Sequence, residues 1–186
     1  DEQKTRAARD LAELDGIIDE ILEASRLEAA EGLAQVEPVD LLALVAEEGA
    51  RTGAEVGGEA IEVEGDPRLL RRLVRNLLEN ARRHGGAGPV EARVERGEET
   101  RVRLRVLDRG PGIPEGEREQ VFEPFYRPGG RAETGEGYGL GLSLVRQIAR
   151  AHGGEARCLA RDGGGMVFEV ELGSIAAAGR GEPDTL

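Results

Sequence analysis

Apolar residues recur at helical spacing in some stretches of this chain and alternate with polar residues in others. Near the start, Leu11, Leu14, Ile18 and Ile21 follow a 3-4-3 spacing, extended by Ala7 and Ser25, and Gly16 is the sole breaker. Such a series predicts a heptad-like seam that wants a partner helix, the alternative being a helix that lies on its own domain. "EAAEGLAQVEP" reads as a linker, after which Pro38 and Asp40 open a second helical pattern, "VDLLALVAEEGAR", followed by a weak strand, "AIEVEG". Asp66 and Pro67 give an N-cap and first-turn signal for a helix carrying Leu69, Leu70, Leu73, Val74, Leu77, Leu78 and Ala81. "PVEARVE" and "TRVRLRVLD" alternate as half-buried strands do, with "RGEE" able to join them as a hairpin. Residues 139–152 show a further amphipathic helix through Leu144, Val145, Ile148 and Ala149, and "EARCLARDGGGMVFEVEL" reads as two strands around a Gly-rich turn. The tail from Ser174 is small and polar and reads as disordered. Strands paired by short turns with separate helices predict an α+β fold. Its form is a two-layer sandwich of a mixed, mostly antiparallel sheet covered by helices on one face, preceded by the N-terminal coiled-coil-like helix.

Composition narrows the function more than the fold. With 186 residues and 39% apolar content the chain can form one ordinary domain plus an appendage. A net charge of -12 argues against a nucleic-acid binder, which wants a basic face. Lys4 is the only lysine, so no G-x-x-x-x-G-K-[ST] phosphate loop occurs. Cys158 is the only cysteine, which excludes an intrachain disulfide and fits a reducing compartment. No apolar run approaches the ~18 residues of a membrane span. The chain does not begin with Met and reads as an excised piece.

Four stretches carry candidate chemistry. In "NLLENARRH", Asn76, Asn80 and Arg83 are i, i+4 and i+7 on one row that flanks the leucine stripe, at the rim of the core. An amide oxygen suits Mg²⁺ and a guanidinium suits phosphate, although an asparagine pair can equally cap local backbone. In "LDRGPGIP", Asp108 ends a strand and can accept a hydrogen bond from an exocyclic amine, while Gly110 and Gly112 bend the chain and let a flat ring approach; a plain D-x-G turn has the same look. "FEPFYRPGGRAETGEG" sets Phe122, Phe125 and Tyr126 before a Gly-rich run, either a hinged lid or a hydrophobic plug. In "GYGLGLSLV", Gly137, Gly139 and Gly141 precede and enter a helix whose N-terminus offers N–H groups to anions, or else they make a flexible loop.

Taken in order, these stretches resemble the kinase core of bacterial sensor histidine kinases, in the ATPase superfamily shared with DNA gyrase, Hsp90 and MutL. "NLLENARRH" is similar to the N box, "DRGPGIP" to the first glycine box, "FEPFYR" to the phenylalanine box and "GYGLGLSLV" to the second glycine box. The resemblance covers roughly residues 37–173 as a catalytic ATP-binding domain. "ILEASRLE" resembles the second helix of the family's dimerisation and phosphoacceptor hairpin, here within residues 1–30, and residues 174–186 form the tail.

The resemblance implies ATP and Mg²⁺ as cofactors. Asn80 is expected to hold the metal with Asn76 beside it, and Arg83 and Arg127 to contact phosphate, so that Asn76, Asn80 and Arg127 carry the catalysis. His84 is expected beside the adenine and Asp108 on its amine. Gly110, Gly112, Ile113, Gly137, Tyr138, Gly139 and Gly141 are expected to shape the pocket and lid, with Leu140 and Leu142 closing over the nucleotide. Tyr138 stands where the family often has a small hydroxyl residue. The partners implied are the hairpin helix of the same or a partner chain, a response regulator and a second copy in a full-length homodimer. This part is expected in the cytoplasm, with upstream segments anchoring the whole in the bacterial inner membrane. Neither histidine, His84 nor His152, sits in the family's phosphoacceptor setting, so the acceptor is expected on another segment. Two other readings remain: an ATPase of the same superfamily, whose members usually carry a glutamate base where Asn76 stands, and a nucleotide-binding or dimerisation module without turnover.

Overall fold

The computed structural model describes residues 35–128 and 139–173, together with Leu11, Gly16, Ile18, Ile21, Leu22, Ser25 and Leu33. Ala7 and Leu14 of the seam, Gly137 and Tyr138, and the tail 174–186 lie outside the described residues. Leu11, Ile18 and Ile21 are helical and exposed, an apolar series with nothing against it among the described residues.

Strand β1 (Glu37–Asp40) pairs antiparallel with β3 (Glu62–Gly65), setting Val39 opposite Val63. Between them run helix α1 (Leu41–Thr52) and strand β2 (Glu55–Gly58). Helix α2 (Pro67–His84) leads to the hairpin of β4 (Glu91–Arg96) and β5 (Val102–Leu107). Single 3-10 turns at Glu115–Glu117 and Gln120–Phe122 precede helix α3 (Gly141–Ala151) and the closing hairpin of β6 (Glu155–Ala160) and β7 (Met166–Leu172). The main sheet has the order β2-β4-β5-β7-β6, with β2 parallel to β4 and every other pair antiparallel. The expected two-layer α+β architecture is present.

Period decides the layers. All seven apolar positions of the α2 stripe are buried, from Leu69 to Ala81. Each such leucine adds roughly 1.5–3 kcal/mol of burial. Asp66 caps the helix by accepting from Arg68 N at 2.9 Å, and Pro67 sits where no N–H is needed. Alternation along β4, β5, β6 and β7 sends Ala92, Val94, Leu104, Val106, Ala156, Phe168 and Val170 toward the helices. Of the intervening residues, five form a charged lattice on the open face, where Arg105 meets Glu169 at 2.8 Å and Glu95 at 3.3 Å, and Arg103 meets Glu171 at 3.0 Å. At the other end of the strands Leu107, Val167 and the exposed Leu159 pair as an apolar row. On the helical side, buried Glu48 of α1 is gripped by Arg71 and Arg75 of α2. Burial pushes the Glu48 carboxyl up, but the two guanidiniums outweigh it and hold it below its ordinary value.

Two strands were not expected from the sequence. Pro38 belongs to β1 rather than opening a helix, while Asp40 does cap α1, accepting from Ala43 N at 2.9 Å. β2, "EVGG", has the composition of a turn, yet Gly58 is glycine because a Cβ there would lie 2.0 Å from Val94 O on β4.

His152 closes the end of the domain where α3 stops. Its Nδ1 donates to Ile148 O at 2.8 Å and its Nε2 accepts from Asp66 N–H at 3.1 Å, so one neutral ring ties the α3 C-terminus to the α2 N-cap. Burial lowers its pKa, against the opposing influence of the Ile148 carbonyl and Asp66. Unfolded, the ring takes up a proton near pH ~6.5, whereas the folded ring resists it. Stability is therefore complete above that value and is lost as pH falls from it toward the depressed folded pKa. Between pH 7.5 and 5.5, chemical unfolding should show the wild-type chain losing about 1 kcal/mol more than His152→Gln. Equal losses would show that the ring is not held neutral.

Candidate functional site

Three elements bring the predicted residues to one end of the α2–α3 layer. The first is the C-terminal half of α2. Asn76 and Asn80 are half-buried at the rim of the leucine stripe, and Arg83 and His84 follow exposed at the helix end. Asn76 Nδ2 donates to Gly141 O at 3.3 Å, so this amide touches the first residue of α3. Asn76 Oδ1 and the whole Asn80 amide make no hydrogen bond among the described residues. They are thus not capping local backbone.

The second element is the loop after β5. Asp108 is only 4% exposed. Its Oδ1 accepts from Gly110 N at 2.8 Å and Met166 N at 3.1 Å, whereas Oδ2 accepts nothing among the described residues. The loop is seated on the end of α2: Arg109 N donates to Gly85 O at 3.2 Å, and a Cβ on Gly110 would lie 2.3 Å from His84 O. Gly112 takes φ +84, a left-handed turn that glycine adopts without strain, and leads to Ile113, whose N–H points at the Met166 sulfur. Asp108, Gly110, Gly112, Ile113 and His84 therefore share one neighbourhood.

The third element is the start of α3. Leu140 is buried, Leu142 packs against the core, and Ser143 Oγ donates back to Leu140 O at 2.7 Å. Leu140 at the N-cap offers no side-chain cap, so among the described residues the first N–H groups of the helix retain their affinity for an anion. Gly139 takes φ +74 and accepts from Phe125 N at 3.0 Å, joining the aromatic segment to the helix start. That segment divides by role. Phe122 is buried edge-on to Phe168 with the Arg146 guanidinium 4.2 Å over its ring, Tyr126 donates to Glu117 at 2.9 Å, and Phe125 stays 63% exposed at φ 64. Arg127 is half-buried and engaged. Gly137 and Tyr138 lie outside the described residues, as does most of the stretch expected to form a lid, roughly residues 127–138, of which only Arg127 and Pro128 are described.

A cleft of about 360 Å³ at the far end of α3 is lined by His152, Glu64 and Arg101, and none of the predicted site residues borders it. Cys158 is buried and its thiol is pushed up to about 12, which removes it as a nucleophile. Among the described residues no cluster of three His, Cys, Asp or Glu side chains could hold a metal. Sequence reasoning missed Glu91, Arg161 and Met166, which surround Asp108 from the sheet and from the last hairpin, because their proximity depends on strand register.

Comparison with known proteins adds lineage to this geometry. The model of the family described as "Histidine kinase-, DNA gyrase B-, and HSP90-like ATPase" matches residues 65–174. The chain is 39% identical over 167 residues to the sensor histidine kinase GtrS of Pseudomonas aeruginosa, a match covering 88% of this chain and 34% of that protein. It spans about a third of the length of such curated relatives. Among solved structures, the mycobacterial sensor histidine kinase MprB matches with a TM-score of 0.66 at 33% identity, covering 73% of this chain and 97% of that one. Full-length ShkA in complex with AMPPNP matches with a TM-score of 0.75 at 27% identity, covering 96% of this chain and 40% of that one.

Proposed function

The chain belongs to the histidine kinase-, DNA gyrase B- and HSP90-like ATPase family, and on that premise we propose that it is the catalytic ATP-binding unit of a sensor histidine kinase. Its reaction would pass the ATP γ-phosphoryl group to a histidine on a dimerisation hairpin, from which a response regulator would take it. The observation that carries this reading is the meeting, at one end of one layer, of a carboxylate with a free oxygen, two amides whose oxygens accept nothing among the described residues, and a helix start whose N-cap residue makes no side-chain cap.

Asp108 Oδ2 would accept from the adenine amine while Oδ1 stays fixed on backbone. Asn80, with Asn76 beside it, fits Mg²⁺: a neutral amide oxygen is a hard ligand that leaves coordination positions for phosphate and water. Bound there, Mg²⁺ would neutralise phosphate charge and orient the triphosphate. The α3 N-terminus, Arg83 and Arg127 would add positive potential along the phosphates. Asn76 cannot accept a proton where the superfamily's ATPases usually carry a glutamate base, so catalysis would rest on positioning and charge. ShkA's AMPPNP complex supports nucleotide binding on this fold. No helix among the described residues is long and apolar enough to cross a membrane. Membrane anchoring, the hairpin and homodimerisation would belong to the longer protein, with the exposed seam of Leu11, Ile18 and Ile21 as its trace here.

Mg-ATP at ~100 times its Kd should stabilise the chain by about 2.7 kcal/mol. The melting point should rise by about 5–10 °C. No shift at millimolar Mg-ATP would refute nucleotide binding. Transfer of labelled phosphate to a supplied hairpin domain tests the kinase reading, and ATP hydrolysis without transfer would favour an ATPase instead.

A further inference from the structure

Asp108 is held from two sides, and only one of them belongs to the site. Its side chain follows the helix-facing set of β5, whereas Glu91, by the alternation of β4, lies on the open face of the sheet. From that open side, Arg161 at the end of β6 crosses the ends of β7 and β5 to reach Glu91 on β4. On the way its Nη1 donates to the main-chain oxygen of Asp108 at 3.2 Å. The Arg161 side chain is only 9% exposed, and its pairing with Glu91 is the foremost cause holding that carboxyl below its ordinary value, ahead of Arg93. The turn beneath is shaped for this approach. Gly165 takes φ +98, and a Cβ on it would lie 2.1 Å from Asp108 O. The Met166 backbone then holds Asp108 twice, its N–H donating to the side-chain Oδ1 at 3.1 Å and its oxygen accepting from Asp108 N at 3.0 Å.

We infer that the Glu91–Arg161 pair is a positioning strap: by fixing the Asp108 peptide from behind, it sets where Oδ2 stands in the pocket and so governs purine selectivity. This rests on the adenine-recognition reading of Asp108. A charge-assisted bond to a main-chain oxygen fixes the peptide plane, and the carboxylate can rotate only about its own side-chain torsions. Glu91 neutralises and orients the guanidinium, whose planar fork serves both acceptors at once. Without the strap, the residue that discriminates an amine from a carbonyl would sample several placements, and small displacements of a recognition group cost affinity steeply.

The test is competition of GTP against Mg-ATP on the whole chain, with unfolding midpoints measured in parallel. Arg161→Met should lower the ATP-over-GTP preference about tenfold. Arg161→Lys should recover part of it by restoring the charge. Arg93 remains 3.2 Å from Glu91, so the carboxylate keeps a partner in the Met variant. If Arg161→Met nevertheless fails to fold, Glu91→Gln decides the matter, with a smaller shift in the same direction expected. An unchanged preference in the folded variants, or an equal loss for both nucleotides, would overturn the strap. If the unsubstituted chain itself fails to bind or prefer ATP, the adenine reading of Asp108 falls, independently of any variant.

Discussion

Replacing Asp108 with asparagine is expected to weaken Mg-ATP binding by about 100-fold, with little change in the fold, because a charged hydrogen bond is lost and a donor is set against the amine. The native carboxylate uses Oδ1 on Gly110 N and Met166 N and leaves Oδ2 free. An asparagine can keep both backbone bonds through its amide oxygen, which forces its NH₂ into the place of Oδ2. There it would face the hydrogens of an adenine amine, but it could donate to a carbonyl at the same ring position. GTP should therefore lose much less than ATP, and competition between the two would show preference moving toward guanine. Wild-type ATP affinity in the variant would remove Asp108 from the site.

Incubated alone with radiolabelled ATP, the 186-residue chain is expected to acquire no phosphohistidine, whereas a chain carrying a phosphoacceptor hairpin should become labelled when the two are mixed. In-line transfer needs nucleophile, γ-phosphorus and leaving oxygen nearly collinear. Both ring nitrogens of His152 are committed, one to Ile148 O and one to Asp66 N. His152 also follows Gly141 by 11 positions, about 16 Å along the axis of α3. His84 ends α2 beside the loop that carries Asp108, at the base end of the proposed nucleotide and away from its terminal phosphate. Acid-labile label mapped to either residue would contradict this arrangement and make the chain a self-sufficient kinase.

Strong periodicity made α2, α3 and the two hairpins legible. In each, apolar residues recur often enough for helix and strand to be told apart, and the burial of Leu69 through Ala81 follows that pattern. β1 and β2 escaped because four residues carry almost no periodic signal, and tertiary pairing overrode local character in both. Pro38 is tolerated because β1 pairs on one side only, and Gly58 is needed for the close approach to Val94. The candidate site was legible for a different reason: each of its parts is a short contiguous stretch whose chemistry survives without coordinates. Asp108 and Asn80 could be named that way. The contact between Asn76 and Gly141 could not, nor could Arg161 behind Asp108, because 65 and 53 positions respectively separate the partners. The positive φ of Phe125 likewise has no signature in "FEPFYR".

The charged lattice on the open side of the sheet bears on how the molecule behaves in a crowded solution. An uncovered sheet face is normally an adhesive, since two such faces can stack at a spacing of about 10 Å and exclude water between them. Here stacking would have to dehydrate Arg103, Arg105, Glu95 and Glu171 together, although each already sits in an ion pair. Because opposite charges are interleaved, the surface also projects little long-range field that could recruit a charged macromolecule. The lattice thus discourages stacking over the part of the face that it covers, and leaves the row of Leu107, Val167 and Leu159 as the adhesive part of that side.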